Sequence, residues 1–275
     1  MNKPLFHVFR NTPFGRETLL QSAYFCSRLN MPLAIYQPES KSFLLYFDRD
    51  VVQVDLDGSY LTDPASAEEH IREVLAPYRI KHSLVQPVSK SASTLPDLPV
   101  HFSLMTCPRS MSDDTRKIAL GMIGSKVRRI VQSAHFPIFL PAPVFKPWNS
   151  LAVLYGGSDN AAAALRLALE IRRRSNTPLR IFSQGSRREF EVQMLDQGFS
   201  GELVASLDWT FWSAGDLVEQ LYSIPHDSLV LLGAYGKGLI RDTLFGSTME
   251  KVQSNLPNSM LVVGPKCDWI KTAAS

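Results

Sequence analysis

The sequence predicts an α/β protein built from two tandem doubly wound parallel-sheet domains. Short apolar runs alternate with longer helical patterns along the whole chain. Motifs of the first half recur in the second, and a glycine-rich segment follows an apolar run near the C-terminus. Apolar runs of four to eight residues bounded by turn residues read as buried strands. Strands separated by helices make a parallel sheet covered on both faces.

Composition narrows the function classes. The chain has 275 residues, enough for two domains, and is 45% hydrophobic and 20% charged, as in ordinary globular proteins. Its apolar runs are too short to span a bilayer, so no membrane partner is expected. Met1 runs straight towards a strand pattern without a signal-peptide core, which makes cytoplasmic the expected location. Cys26, Cys107 and Cys267 are scattered and odd in number, and suit a reducing compartment. A formal net charge of +3 gives no argument for a nucleic-acid partner. The six histidines lack metal-ligand spacing, so no metal site is assigned. His7, in mid-strand, reads as a hydrogen-bonded core residue. No nucleophile elbow, H-E-x-x-H helix or C-x-x-C pair is present. No catalytic residue is therefore assigned, and the chain is not expected to be an enzyme.

The repeat sets the domain boundaries. Arg28 to Tyr36 matches Arg174 to Phe182: each shows Arg, Asn, Pro, Leu and Ile in the same places. Each reads as a helix end, a turn and a strand. Gly124-Ser125 opens a stretch ending in Ile138-Phe139-Leu140, and Gly246-Ser247 opens one ending in Met260 to Val263. Pro141, Pro143 and Pro147 mark a linker between domains at 1–143 and 149–275.

In the second half, strands are expected at 151–155, 179–182, 203–207, 228–232 and 260–263. Helices are expected at 160–174, with Ser158 or Asp159 as cap, at 187–197 and at 214–222. Arg172 to Arg174 read as the end of a helix, where cations favour its dipole. Trp209, Phe211 and Trp212 fall just after the expected third strand, where they would stack on a base or pack the domain junction. The first half has strands at 5–9, 83–88 and 100–105, helices at 17–29 and 64–75, and an added hairpin around 48–50. Its Thr106 to Asp114 segment has no glycine, contains Pro108, and carries Asp113 and Asp114, which would repel phosphate. This domain is expected to be structural.

The glycines carry the functional signal. Gly233 and Gly236 are followed, nine residues on, by Gly246-Ser247-Thr248. A strand-to-helix loop of this kind offers backbone N–H groups and a helix dipole to an anion. Glycine leaves room for the ligand, and the two hydroxyls add donors. The spacing G-x2-G-x9-G-[ST] resembles the nucleotide signature of the universal stress protein family, and the resemblance covers the chain as a tandem pair, most strongly in 149–275.

The resemblance implies a cytoplasmic stress-response protein that binds an adenine nucleotide, ATP or AMP, in its second domain. Gly233 and Gly236 would line the ribose and phosphate region, and Gly246, Ser247 and Thr248 would hold phosphates. Gly156 stands where the family has an aspartate, and Ser158 matches the family's serine. Mg²⁺ is left open by that departure, as are a slow ATPase and a scaffold without nucleotide. The family's pairing through final strands implies an intramolecular pseudo-dimer with Ile138 and Leu261 near its axis. Further pairing into homodimers is permitted but not required.

Overall fold

A computed structural model describes residues 3–47, 50–88, 93–109, 123–213, 217–234 and 256–268. β1 (Leu5–Val8) leads into α1 (Pro13–Leu29). Thr12 caps this helix by accepting from the Gly15 N–H, Pro13 presets the first turn, and Asn30 ends it in the left-handed region at φ 50°. β2 (Leu33–Tyr36) follows. The added hairpin is present as β3 (Ser42–Tyr46) and β4 (Val51–Asp55). A single 3₁₀ turn (Gly58–Tyr60) then leads to α2 (Pro64–Leu75), capped by Asp63. β5 (His82–Leu84), β6 (Asp97–Pro99), β7 (Leu104–Thr106), α3 (Ser125–Ser133) and β8 (Ile138–Leu140) complete the half.

The second half runs β9 (Ser150–Leu154), α4 (Asp159–Ser175), β10 (Leu179–Gln184), α5 (Arg187–Asp196), α6 (Gly201–Ser206), β11 (Asp208–Trp212), α7 (Leu217–Leu221), β12 (Ser228–Gly233) and β13 (Met260–Val263). The main sheet has ten strands in the order β11-β10-β9-β12-β13-β8-β7-β1-β2-β5. Read inwards from either end, the order within a half is third, second, first, fourth, fifth. The exchange from one half to the other is made by β13 and β8, which pair antiparallel with Leu261 opposite Phe139. All other neighbours in this sheet are parallel. The hairpin forms a separate three-stranded sheet with β6.

The inner strands of the main sheet are buried because both of its faces are covered, whereas the edge strand β5 is exposed. One core cluster gathers α1, α2 and α4; the other gathers the hairpin and α3. A buried polar knot lies at the junction. The Gln21 carboxamide donates to Ala142 O at 2.6 Å and accepts from Ala142 N at 3.1 Å, while Ser259 Oγ donates to Gln21 Oε1 at 3.1 Å. Arg109, 7% exposed, reaches from the first half to carbonyls of the second, donating to Asn258 O at 2.6 Å and Leu256 O at 3.1 Å. Residues 141–149 pack down rather than swing free: Trp148 is buried, and Tyr24 Oη donates to its carbonyl at 3.1 Å.

Several expectations need correction. Residues 203–207 are not a strand. Ser200 accepts from the Leu203 N–H and starts a helix there, and the third strand of the half lies further on, at β11. The local cap therefore overrides an apolar pattern that would serve either element. Trp209, Phe211 and Trp212 lie within that edge strand, at the far end of the sheet from the junction. α1 begins earlier than 17, because Thr12-Pro13 is itself a cap and first turn. Of the run 100–105 only Leu104 and Met105 are in a strand, as part of β7 in the main sheet; the strand before it, Asp97–Pro99, joins the hairpin.

His7 is a core residue. Its Nδ1 lies 3.0 Å from Ser22 Oγ, which in turn lies 2.9 Å from Thr106 Oγ1. Burial pushes the imidazole down to about 3 from an ordinary 6.5. The folded chain therefore holds a neutral ring, while the unfolded chain takes up a proton below pH 6.5. Stability is unaffected by this group above that pH and falls below it, by about 1.4 kcal/mol per pH unit. Urea unfolding of wild type and His7→Gln between neutral pH and pH 4 should show a shallower acid loss in the variant; parallel curves would refute the assignment. Phe139 is 1% exposed and its ring lies 4.8 Å from that of Phe25. Phe139→Ala should cost about 3–5 kcal/mol. Because the sheet is continuous through β8, calorimetry should show both halves losing stability together, rather than one transition moving past an unchanged second.

Candidate functional site

Two neighbouring strands bring together the described members of the glycine and serine set. β9 ends at Leu154 and continues as Tyr155, Gly156, Gly157 and Ser158; β12 ends at Gly233. Leu154 and Leu232 are register partners, so Gly156, Ser158 and Gly233 share the carboxyl edge of the sheet. The chain leaves β9 towards β10 on one side and later returns to β12 on the other. This is the switch in strand order where open α/β sheets form a crevice. Gly236, Gly246, Ser247 and Thr248 lie outside the described residues, as do the helix expected after them and most of the 106–114 segment.

The described residues carry specific structural duties. Ser158 caps α4, its Oγ accepting from Ala161 N at 3.2 Å. Gly233 lets that helix approach the strand: a β-carbon there would lie 2.3 Å from the Asn160 carbonyl carbon. Asn160 Nδ2 donates to Ala234 O at 2.6 Å and fixes the contact. Gly157 has φ +79°, a conformation that favours glycine, and the Gln193 carboxamide lies against it. Gln197 Nε2 donates to Gly157 O at 2.8 Å and its Oε1 accepts from Tyr155 Oη at 2.6 Å. Arg166 donates to the Gln197 carbonyl. The carboxamides of α5 and its end thus hold the β9–α4 loop. Sequence reasoning missed Gln193 and Gln197; their spacing of four places them on one helix side, but no local signal says which loop that side meets.

The tryptophans serve packing. Trp209 Nε1 donates to Ser183 Oγ at 3.0 Å, and Ser183 Oγ donates to Tyr155 O at 2.6 Å. Trp212 packs with Phe182 on the other face and donates to Ser223 Oγ at 3.0 Å. In the first half, Thr12 occupies the capping place of Ser158, so Arg10 corresponds to Gly156. Arg10 is buried, with its guanidinium 5.2 Å from the Tyr60 ring centre. By the same register His7 pairs with Thr106 as Val153 pairs with Leu231, so Pro108 corresponds to Gly233; Thr106, two residues earlier, is tied through Ser22 to His7.

Gly156 provides no carboxylate, and among the described residues no group of three or more His, Cys, Asp or Glu side chains could hold a metal. Among the described residues the edge offers backbone N–H groups at the start of a long helix, a hydroxyl and amides, together with the exposed Asp159 carboxylate in the first turn of α4. Among the described residues, no helix is long and apolar enough to cross a membrane.

No protein-family model and no curated protein matches the sequence. Solved structures do match the fold. A universal stress protein from Archaeoglobus fulgidus DSM 4304 superposes with a TM-score of 0.56 at 12% identity, over 94% of this chain and 96% of its own. A functionally unknown protein from Pseudomonas aeruginosa PAO1 gives 0.57 at 14% identity, over 98% of this chain and 95% of its own. The cytoplasmic domain of a prokaryotic cation chloride cotransporter gives 0.50 at 9% identity, over 95% of each chain. The doubly wound sheet, its strand order and these likenesses together identify the fold of the chain as that of the universal stress proteins.

Proposed function

We propose that the chain is a tandem pair of universal-stress-type domains, 1–143 and 149–275, acting in the cytoplasm as a stress-related binding or sensing protein. The second domain takes an adenine nucleotide, ATP or AMP, at the crevice between β9 and β12. One observation carries this reading: Gly233, the first glycine of the G-x2-G-x9-G-[ST] pattern, ends β12 at the switch in strand order beside Gly156 and Ser158. From there the segment through Gly236 to Gly246, Ser247 and Thr248 would supply the phosphate donors. Any Mg²⁺ would be held by phosphate oxygens and water rather than by a protein carboxylate. The first domain is structural, with Arg10 and Pro108 in the places of Gly156 and Gly233.

A scaffold without nucleotide is the second reading. It is favoured by the local duties of Gly233 and Ser158, which need no ligand to account for them.

Calorimetry with AMP and ATP should give one site per chain, lost in Gly246→Phe while the melting temperature is kept. Two equivalent sites, or unchanged affinity in that variant, would overturn the assignment; no binding at all would leave the scaffold. Phosphate release from ATP should stay far below about 1 per second, the low end of ordinary turnover. Faster release that Ser247→Ala removes would place the chain among enzymes.

A further inference from the structure

The β9–α4 loop contains Gly156 and Gly157 in succession. Two adjacent glycines give the backbone wide conformational freedom, and Gly157 holds φ +79°. Such a loop keeps one shape only if outside bonds meet the cost of ordering it. Those bonds act on both neighbours of Gly156. Before it, the Tyr155 carbonyl accepts from Ser183 Oγ at 2.6 Å, and Ser183 Oγ accepts from Trp209 Nε1 of β11 at 3.0 Å. After it, the Gly157 carbonyl accepts from Gln197 Nε2 at 2.8 Å. Gln197 Oε1 also accepts from Tyr155 Oη at 2.6 Å, so one carboxamide bridges the residues on either side of Gly156.

Gln197 is itself fixed. Its N–H donates to Gln193 O at 3.0 Å as the cap of α5, and its carbonyl accepts from Arg166 of α4. The Arg166 guanidinium in turn rests 4.5 Å from the Phe199 ring centre. Asn160 ties the start of α4 to Ala234, just beyond β12. The loop is thus held to β12 by Asn160 and to the end of α5 by Gln197. A loop ordered in advance binds more tightly, because the ligand does not have to order it.

We propose that Gln197 is a positioning residue for the crevice between β9 and β12: it fixes the placement of Gly156 against a bound nucleotide without touching the nucleotide itself. The proposal rests on the reading of that crevice as an adenine-nucleotide site.

The test is calorimetric titration of the full chain with AMP, together with amide hydrogen exchange of the free protein. Gln197→Met keeps the length of the side chain and removes both of its hydrogen bonds. It should weaken AMP about tenfold, the worth of roughly one hydrogen bond, and speed exchange at 156–161. Tyr155→Phe should weaken AMP by a smaller factor. Added to Gln197→Met it should change nothing further, because its hydroxyl acts through the same carboxamide. A role in stability alone would lower the melting temperature of Gln197→Met and leave its AMP affinity at the wild-type value, and that result would overturn the proposal. Independent, multiplying effects of the two substitutions would overturn it as well. If Gln197→Met does not fold, Tyr155→Phe decides, and an unchanged affinity there counts against the proposal. Wild type that binds no AMP would remove the nucleotide reading and this proposal together, whereas wild-type binding with unchanged affinity in the variants would remove this proposal alone.

Discussion

The antiparallel pairing of β13 with β8 is the constraint on which the rest of the molecule depends. Each half, taken alone, would end its sheet in a short, wholly apolar strand with an open edge. Such an edge presents unpaired N–H and C=O groups to any passing strand. Joining the two edges satisfies both at once and makes one ten-stranded sheet with its core continuous on either face. The Gln21–Ala142–Ser259 knot and the Arg109 guanidinium reinforce the join from side chains. With the halves joined, these polar groups are buried and their hydrogen bonds are met across the join. Burial pushes Arg109 down only to about 10, so it remains a cation held by main-chain carbonyls of the opposite half.

The two halves use the same backbone plan with different chemistry at the strand ends. In the second half, Gly233 lets the start of α4 approach the end of β12, and Gly157 lies against the Gln193 carboxamide. In the first half, Arg10 and Pro108 stand in the places of Gly156 and Gly233, and the Thr106 hydroxyl nearby is drawn into a buried chain with Ser22 and His7. A backbone can be kept while the groups at its functional edge change, because the core and the edge are fixed by different residues.

Much of the fold was legible because its signals are local. Asp63-Pro64 announces the start of α2, and the prolines around 141–147 mark the crossing between halves. Met260 to Val263 is read correctly because a short apolar run bounded by Asn258 and Pro265 admits few alternatives. The misread segment at 203–207 shows the limit: five residues with an apolar pattern fit a helix turn as well as a strand, and the Ser200 cap decided between them. At the candidate site, the glycine spacing was legible, but the use of Gly233 as a contact surface for α4 was not. The same holds for Gln193 and Gln197, whose partners depend on how α5 docks on the β9–α4 loop. Those contacts are set by tertiary packing, which leaves no local mark.

The order of synthesis gives the β8–β13 pairing a further consequence. β8 emerges from the ribosome with the first half, whereas the strand that covers its edge is made roughly 120 residues later. At translation rates of about 5–20 residues per second, the Ile138-Phe139-Leu140 edge waits several seconds for Met260 to Val263. During that interval the nascent chain carries an adhesive segment, and on a polysome its nearest neighbours carry the same one. Synthesis of β13 removes the hazard.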